Sequence, residues 1–395
     1  MAQVEVVVIG GGIVGLCTAL HLSRQGVSVA LLDKRPLMAN YPSGDQLADY
    51  DLRVSALTHR SQAYLSKLDL WDTIVAERCT PYQRMYVWDG EGTGNIEFDA
   101  DAITAQNIGH IVENRIITRA AYQAILETDV MCFAPCNIIA IENTDAGVHI
   151  ELNEGNIDAQ LMIASDGALS MVREQQGFFT REWDYGHSAI VATVAMQEPH
   201  QSTCWQRFMQ SGPLALLPLD DPYKVSIVWS CQHAMAETLM ALDDEAFMAD
   251  LSHASETILG NAIAVGPRQC VPLRQRHATD YIKQRCVLIG DAAHTIHPLA
   301  GQGMNIGLGD SIVLVEELLR SKMRGLGVAH NQGLKRFQRR RKSENLNMMY
   351  TMEGFKRLFE TKDLHLLWAR NEGMRWLNRI DSIKTSIVAA AVGQD

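Results

Sequence analysis

The feature that most constrains the fold is a glycine-rich turn near the start of the chain. Residues 4–9 form an apolar run rich in valine and interrupted only by Glu5, which is the pattern of a buried parallel strand. The sequence GxGxxG follows at residues 10–15, and the apolar periodicity of residues 13–25 predicts a helix. A second buried run at residues 27–32 predicts the next strand. The chain therefore begins with a predicted βαβ unit.

The three glycines of this turn have separate physical roles. Gly10 permits the tight turn, Gly12 lets the backbone approach a diphosphate, and Gly15 lets the helix pack closely on the strand. The diphosphate would then lie at the positive end of the helix dipole. Asp33 ends the second strand, where its carboxylate can accept bonds from ribose hydroxyls. These residues predict a dinucleotide site without distinguishing FAD from NAD.

Another glycine-rich turn, late in the chain, distinguishes FAD from NAD. Gly290 and Asp291 follow the apolar run of residues 286–289, and a helix is predicted from Met304 to Lys322. A carboxylate at this place can bind the hydroxyls of a sugar alcohol, and the helix directs its N-terminal amides toward the same region. Reduced flavin carries negative charge that such amides stabilise. An enzyme that binds only NAD has no use for this turn, so the motif favours FAD.

A middle turn, which lies between these two in the sequence, follows the apolar run of residues 161–164. It contains Asp166 and Gly167, and Ser170 stands near a predicted helix start. One interpretation is an ordinary connection between a strand and a helix. The other places this turn against both the FAD diphosphate and a reductant that approaches the flavin.

The pattern changes in the middle of the chain. Residues 189–194 and 224–229 are apolar, β-rich runs separated by turn signals, which predict antiparallel sheet. Helical patterns occur at residues 61–79, 119–128 and 243–259, and after residue 331 with interruptions near Gly354 and Gly373. We therefore predict an α/β fold: a Rossmann-like FAD-binding domain with an inserted α+β domain of mixed or antiparallel sheet and a helical C-terminal tail. The predicted parts are residues 1–75, 106–182 and 273–330 for the FAD-binding domain, 76–105 and 183–272 for the substrate domain, and 331–395 for the basic helical region.

Charge is distributed unevenly along the chain. The formal net charge of -11 argues against a nucleic-acid binder. Residues 331–395 nevertheless hold 13 Lys and Arg against 7 Asp and Glu, with six cations in the segment 335–342. Beside an amphipathic helix pattern, this predicts contact with a membrane surface or a partner protein; the alternative is that the apolar stripe packs on the FAD-binding domain. With no signal-peptide pattern and no long apolar run, we expect a cytoplasmic protein, peripheral at most to the inner face of the membrane.

Other reactive side chains give weaker indications. The eight cysteines lie in apolar segments without a CxxC pair, so we expect buried free thiols and no metal site. His294 and His297 are near Asp291, but flavin contacts account for that loop better than a metal does. His187, His200 and Tyr185 could help to deprotonate a phenol, although packing roles are favoured. The sequence identifies no general base.

Together the three motifs resemble those of the FAD-dependent aromatic hydroxylases, the single-component flavoprotein monooxygenases. The resemblance covers residues 3–345. Residues 51–57 and 109–114, with the wording GDAAHTIHPLAGQGMN of residues 290–305, are similar to the ubiquinone-biosynthesis hydroxylases within that family. Residues 183–193, 198–200 and 226–230 are most similar to bacterial members that act on 2-polyprenylphenols.

The resemblance implies roles for particular residues. Gly10, Gly12, Gly15 and Asp33 would hold the ADP half of FAD, and Asp166 and Gly167 would form the middle turn. Asp291 would bind the ribityl group, and Gly290 before it would also belong to the cofactor site. Arg53 would lie beside the flavin or the ribityl chain, and the isoalloxazine would be lined by Pro298, Gly301, Gly303, Met304 and Asn305. Arg53 and Pro298 are the predicted catalytic positions. The sequence departs from the wider pattern in two places: Asp33 replaces the commoner Glu, and Glu113–Asn114 stands where many members have Arg.

The resemblance also implies a reaction. Such enzymes reduce FAD with NADH or NADPH, form a flavin C4a-hydroperoxide with O2 and pass an oxygen to a phenol ring. The cofactor carries this chemistry, and the protein must exclude water and hold the ring. The chain has no second GxGxxG, so the nicotinamide would bind transiently, with Arg53 as its anchor. The expected substrate is a polyprenylated phenol hydroxylated at C5; the alternatives are another ring position, another small aromatic, or a non-catalytic FAD-binding subunit.

Overall fold

A computed structural model describes residues 2–37, 44–295, 303–361 and 363–378, together with residues 380, 384 and 385. In this part of the chain it contains ten α-helices. They are α1 (Ile13–Arg24), α2 (His59–Lys67), α3 (Trp71–Glu77), α4 (Asn114–Leu126), α5 (Met171–Gln175), α6 (His233–Ala241), α7 (Asp244–Ala254), α8 (Gly303–Met323), α9 (Asn331–Glu360) and α10 (Leu364–Asn378).

The strands form three sheets. They are β1 (Ala2–Ile9), β2 (Val29–Leu32), β3 (Val54–Leu57), β4 (Thr80–Tyr82), β5 (Arg84–Asp89), β6 (Asn95–Asp99), β7 (Gly109–Glu113), β8 (Met131–Phe133), β9 (Ile138–Asn143), β10 (Val148–Leu152), β11 (Gly155–Ala164), β12 (Thr180–Met196), β13 (Thr203–Met209), β14 (Gly212–Pro218), β15 (Lys224–Gln232), β16 (Ala262–Val265), β17 (Gln269–Ala278), β18 (Ile282–Lys283), β19 (Cys286–Leu288) and β20 (His294–Thr295).

The first sheet has a parallel centre. Its strand order is β18-β19-β11-β1-β2-β8, and β10 and β9 extend it in antiparallel fashion from β11. The register aligns Ile9 with Ala164 on one side and with Leu32 on the other. Most residues of β1 and all of β2 are buried, because helices cover both faces of a parallel sheet.

The second sheet is mixed. Its order is β20-β17-β12-β15-β14-β13-β5-β6, with β16 pairing β12. One face, which includes Ile190 and Trp229, packs against α6 and α7. The opposite face contributes Ala215 and Leu217 to a second apolar cluster that also contains Tyr50 of the connection between β2 and β3. The small third sheet, β3-β7-β4, adds residues to the same cluster. The predicted fold class is confirmed, and the domain boundaries stay predictions.

The structure corrects several predicted helix limits. The pattern of residues 61–79 forms two helices, α2 and α3, separated at Asp69, whose φ is 46°. The pattern of residues 243–259 ends at Ala254. Gly354 and Gly373 do not interrupt helices, since they lie inside α9 and α10. A glycine costs a helix interior only about 1 kcal/mol, which packing of the helix can offset. The break falls instead between Glu360 and Leu364.

The C-terminal helices lie against the second sheet. Arg370 of α10 donates from Nε and Nη2 to the carboxylate of Asp89 at 2.8 and 2.7 Å, and both side chains are buried. Phe359 of α9 stacks on Phe208 of β13 with ring centroids 4.2 Å apart. Among the described residues, no helix is both long and apolar enough to cross a bilayer.

The cysteines are free, as expected, but not all are buried. Cys17, Cys204, Cys231 and Cys286 are buried, whereas Cys132 and Cys270 are exposed. Those two residues lie in strands whose residues are partly exposed to solvent: β8 and the first half of β17. An apolar neighbourhood in the sequence therefore overstates their burial.

Candidate functional site

Three neighbouring parallel strands bring the three glycine-bearing turns together. β1, β11 and β19 lie side by side, with Ile9 aligned to Ala164 and Ala164 aligned to Leu288. Their carboxyl ends therefore share one edge of the sheet, where the turns that begin at residues 10, 165 and 290 follow. The carboxyl edge is the usual position for ligands in an open α/β sheet.

The first turn, at Gly10, is closely packed against the middle turn, at Ser165 and Asp166. Gly10 has φ +111°, and a Cβ on it would lie 2.7 Å from the Asp166 amide nitrogen. A Cβ on Gly15 would collide with the Gly10 carbonyl oxygen and the Ser165 hydroxyl. Ser165 in turn donates a hydrogen bond from Oγ to the Gly10 carbonyl at 3.0 Å. Only glycine satisfies the packing at positions 10 and 15.

Gly12 is different because the space beside it is open. It caps the N-terminus of α1 with an extended backbone, and a Cβ there would meet no atom within 4 Å. Next to it, Asp33 accepts hydrogen bonds from the Gly11 amide at 2.6 Å and the Arg35 amide at 2.8 Å. The Asp33 side chain is only 11% exposed. This carboxylate therefore fixes the glycine turn, in addition to the ribose contact implied by the resemblance.

The middle turn uses its carboxylate internally. Asp166 accepts hydrogen bonds from the Ser170 hydroxyl and the Val172 amide, and Ser170 caps α5. Gly167 has φ +84°, with no atom within 4 Å of the position a Cβ would take. The open part of this turn is therefore the backbone at Gly167, and the Asp166 side chain shapes it.

Arg173 joins the middle turn to the third, a role that the sequence analysis did not assign. Its guanidinium donates to the Ala168 carbonyl at 2.8 Å and to the Ala292 carbonyl at 2.9 Å. Arg173 follows the middle turn in the sequence, but nothing in the spacing of that turn indicates a partner more than a hundred residues away.

The third turn in chain order, at Gly290 and Asp291, carries an exposed acidic side chain. Gly290 has φ +57° and packs against Val14 of α1. Asp291 is solvent-exposed, yet desolvation by the surrounding protein raises the pKa of its carboxyl, an effect that His294 and Arg53 oppose. Arg53 is also exposed, and its place beside the flavin stays a prediction.

The start of α8 is fixed from the other side. The Asn305 amide donates to the Ala56 carbonyl at 2.8 Å, and its oxygen accepts bonds from the Thr58 amide and the Ser61 hydroxyl. Gly303, the first residue of this helix, is exposed, and Met304 is half-buried. The predicted residues Pro298 and Gly301, together with His297, lie outside the described residues.

A buried carboxylate secures the segment that carries Arg53. Glu113 receives Arg78 and Arg115, each at 2.8 Å, and accepts the Asp51 amide at 2.6 Å. Asp51 also accepts the Arg53 amide at 3.0 Å. Burial raises the pKa of the Glu113 carboxyl, and its two arginine partners oppose this shift. Glu113 was noted only as a departure from the family pattern; its position beside two arginines could not be inferred from sequence.

The histidines are engaged within the protein. His294 contacts Asp310, and no group of side chains suited to a metal occurs in the part of the chain that the structure describes. His200 is buried, and its two ring nitrogens contact the Leu219 carbonyl and the Ser202 amide. His187 lies against the Tyr185 carbonyl at 2.7 Å. These contacts favour the packing roles, and the described residues identify no general base.

The geometry fits an extended dinucleotide with a second, flat ring system. Two open glycine backbones, Gly12 and Gly167, face space beside the sheet edge, and the N-terminus of the 21-residue helix α8 follows the third turn. Exposed amides at helix starts bind phosphate and other negative charge. The Asp291 carboxylate supplies an acceptor for hydroxyl groups between these two regions.

Comparisons with known proteins agree with this geometry. A family model described as an FAD binding domain matches residues 3–349. The chain is 33% identical over 396 residues to the 3-demethoxyubiquinol 3-hydroxylase of Escherichia coli K12, covering 98% of each chain. It is 32% identical to the mitochondrial ubiquinone biosynthesis monooxygenase COQ6 of Danio rerio, covering 98% of this chain and 89% of that one. The p-nitrophenol 4-monooxygenase PnpA of Pseudomonas putida DLL-E4 has the same fold, with a TM-score of 0.79 at 18% identity and 99% of each chain covered.

Proposed function

Because this chain belongs to the FAD binding domain family, among the hydroxylases of ubiquinone biosynthesis, we propose that it hydroxylates the ring of a polyprenylated phenol at C5. The protein is an FAD-dependent monooxygenase that uses NADH or NADPH and O2 on an aromatic substrate. The polyprenyl substituent and the ring position are the parts of this statement that we propose.

The observation that carries the proposal is the meeting of three turns at one sheet edge. We assign the ADP half of FAD to Gly10, Gly12, Gly15 and Asp33, and the ribityl chain to Gly290 and Asp291. Asp166 and Gly167 would face the diphosphate. We assign the isoalloxazine to Arg53, Pro298, Gly301, Gly303, Met304 and Asn305. When bound, FAD supplies the redox and oxygen-transfer chemistry.

The chain's own residues would bind and orient the reactants. The face of the second sheet opposite α6 and α7 carries buried apolar side chains, including Ala189, Leu217 and Leu273. An apolar wall of this kind suits an aromatic ring with a hydrocarbon tail and keeps water out. Arg53 is exposed and would hold the nicotinamide nucleotide through its negatively charged phosphates.

A different ring position is the second candidate. The Escherichia coli relative that matches along 98% of both chains is named as a 3-hydroxylase of 3-demethoxyubiquinol. We would test both candidates with purified holoenzyme, NADPH, O2 and a series of prenylated phenols that lack one ring hydroxyl each. Mass and NMR analysis of the product identifies the hydroxylated carbon. Hydroxylation at C5 alone supports the proposal, and hydroxylation elsewhere supports the second candidate. NADPH consumption without hydroxylated product from any phenol excludes both.

For the membrane contact, we propose the outer side of α10 instead of the basic segment. Four of the six cations at residues 335–342 bind acceptors within the chain: Arg336, Arg340, Arg341 and Lys342. Trp368 and Trp376 of α10 are 69% and 60% exposed, and indole rings favour the membrane interface. Vesicle flotation with Trp368→Ala and Trp376→Ala tests this: equal flotation of both variants and the unaltered protein would contradict the assignment.

A further inference from the structure

The basic segment of α9 packs against α8, although its charge suggested contact with an external anionic partner. On the premise that the proposed FAD site is correct, we propose that Arg341 is a positioning residue of that site. It holds Asp310, and Asp310 holds the turn that carries Asp291. Three sets of contacts support this role.

The first set surrounds Asp310, which lies in α8 and is fully buried. Its Oδ2 atom accepts the Gly290 amide at 2.9 Å and lies 2.5 Å from Nε2 of His294. Gly290 and His294 stand on either side of Asp291 in the sequence. One carboxylate oxygen therefore fixes both ends of the short segment from which the Asp291 side chain projects.

The second set joins Asp310 to α9. Arg341 donates from Nε to the Oδ1 atom of Asp310 at 2.7 Å, and Asn345 donates to the same atom at 3.3 Å. Arg341 is itself 3% exposed. A buried carboxylate without such a partner would strongly destabilise the folded protein. Arg341 and His294 hold the pKa of Asp310 well below its usual range, so this partner is an anion.

The third set joins Arg341 to the beginning of α8. Its Nη2 atom donates to the Ile306 carbonyl at 3.1 Å and to Oδ1 of Asn345 at 2.9 Å. Ile306 directly follows the residues that we assign to the isoalloxazine. A single guanidinium thus fixes the turn before the flavin loop, through Asp310, and the helix after it, through Ile306. A lysine could replace the ion pair but could not supply both directions at once.

This arrangement distinguishes Arg341 from its neighbour. Arg340 is exposed and pairs with Glu316 and Glu317 on the outer part of α8, far along the helix from the third turn. The two residues have the same charge, the same helix and adjacent positions. Arg340→Met is therefore a matched control for Arg341→Met.

The test measures the FAD dissociation constant of the purified full-length protein by flavin fluorescence, with thermal unfolding recorded in parallel. We expect Arg341→Met to weaken FAD binding by at least about tenfold, which is the effect of losing a residue that orients the ligands of a metal site. Arg341→Lys should recover part of that loss, and Arg340→Met should leave the affinity unchanged. The visible circular dichroism of bound flavin should change for Arg341→Met alone, because the ring's surroundings are displaced.

Two outcomes overturn the inference. One is an Arg341→Met protein that folds, or an Arg341→Lys protein if the methionine variant does not, with unaltered FAD affinity and circular dichroism. The other is an equal loss of affinity in Arg340→Met. Asp291→Ala separates this failure from failure of the proposed site. If Asp291→Ala loses FAD while Arg341 variants retain it, only the positioning role is wrong; if Asp291→Ala also retains FAD, the site itself is wrong.

Discussion

The α-carbon of Gly15 faces the carbonyl oxygen of Gly10 so closely that a Cβ at position 15 would collide with it. This contact is what allows α1 to begin directly beside the end of β1. Gly12 lies between the two residues in the sequence, but a Cβ there would meet nothing within 4 Å. Within one motif, therefore, two glycines serve the fold, and the third leaves space for a ligand.

Substitution of these glycines should separate folding from cofactor binding. We expect Gly15→Ala to lower the free energy of unfolding by several kcal/mol or to prevent folding, since the collision involves backbone atoms that cannot yield locally. Gly12→Ala should unfold at nearly the normal temperature but contain little FAD. Thermal unfolding and the flavin content of purified protein check both. Gly354→Ala, in an exposed helical position, is the control: it should gain up to about 1 kcal/mol and keep its flavin.

Asp291→Ala should purify without flavin and stay colourless after FAD is supplied. The Asp291 side chain is exposed and, among the described residues, makes no buried ion pair like that of Asp310, so the fold should persist. Absorbance of the protein after removal of excess FAD is the measurement. Asp244→Asn, which alters an exposed carboxylate that pairs with Arg268, controls for a general effect of lost charge. Normal flavin content in Asp291→Ala would refute the assignment of this residue.

Glu113→Gln should impair the reductive half of the reaction. The change leaves Arg78 and Arg115 without their shared anion, and removal of one partner from a buried ion pair costs about 3–5 kcal/mol. The segment containing Asp51 and Arg53 would then be less well held. We expect KM for NADPH to rise more than kcat falls, measured from the rate of flavin reduction. Glu97→Gln, at an exposed position, should change neither value; an equal effect of both variants would contradict this account.

Stability should fall in mild acid because three histidines are buried in neutral form. Burial lowers the pKa values of His21, His110 and His277 from 6.5 to about 4. Between those values the unfolded chain binds more protons than the folded one, so the free energy of unfolding decreases as pH falls from about 6.5 to about 4. Each histidine contributes up to about 1.4 kcal/mol per pH unit in that window. Denaturant unfolding of His277→Gln should show a shallower pH dependence; an identical slope would count against it.

Arg370→Met should release α10 from the second sheet. The variant leaves the buried carboxylate of Asp89 without its cation. This carboxylate also accepts a hydrogen bond from the Asn371 side-chain amide at 2.9 Å. Limited proteolysis should then cleave near residues 361–363 much faster than in the unaltered protein. Arg375→Met alters an arginine on the exposed side of the same helix and should be cleaved at the normal rate. Equal resistance of both variants would show that other contacts hold α10.

The sequence predicted the central sheet well, because a buried parallel strand is apolar along nearly its whole length. Residues 4–9 and 286–289 needed no tertiary information for that reason. It also predicted which turns carry glycine, since those positions need positive φ or close packing. The site's supporting contacts were a different matter. Asp310, Arg341 and Glu113 act through partners that are distant in the chain, and no local pattern specifies which charges will meet.

The basic segment shows the same limit in a sharper form. Six cations in eight residues indicate a surface that binds an anion, and sequence alone cannot tell whether that anion belongs to another molecule. Here the anions are largely supplied by α8, which ends only eight residues before α9 begins. The interruptions predicted at Gly354 and Gly373 were wrong for a related reason, because the packing of the helix outweighs the modest preference of a single residue.

The order of strands β1, β11 and β19 has a consequence for synthesis of the protein. The three turns come from the beginning, the middle and the last third of the chain, and Arg341 follows later still. A growing polypeptide that has emerged only through residue 290 contains the first and middle turns but cannot complete the proposed flavin site. FAD should therefore bind only when translation is nearly complete. A prematurely terminated product that lacks α9 should be colourless and quickly degraded.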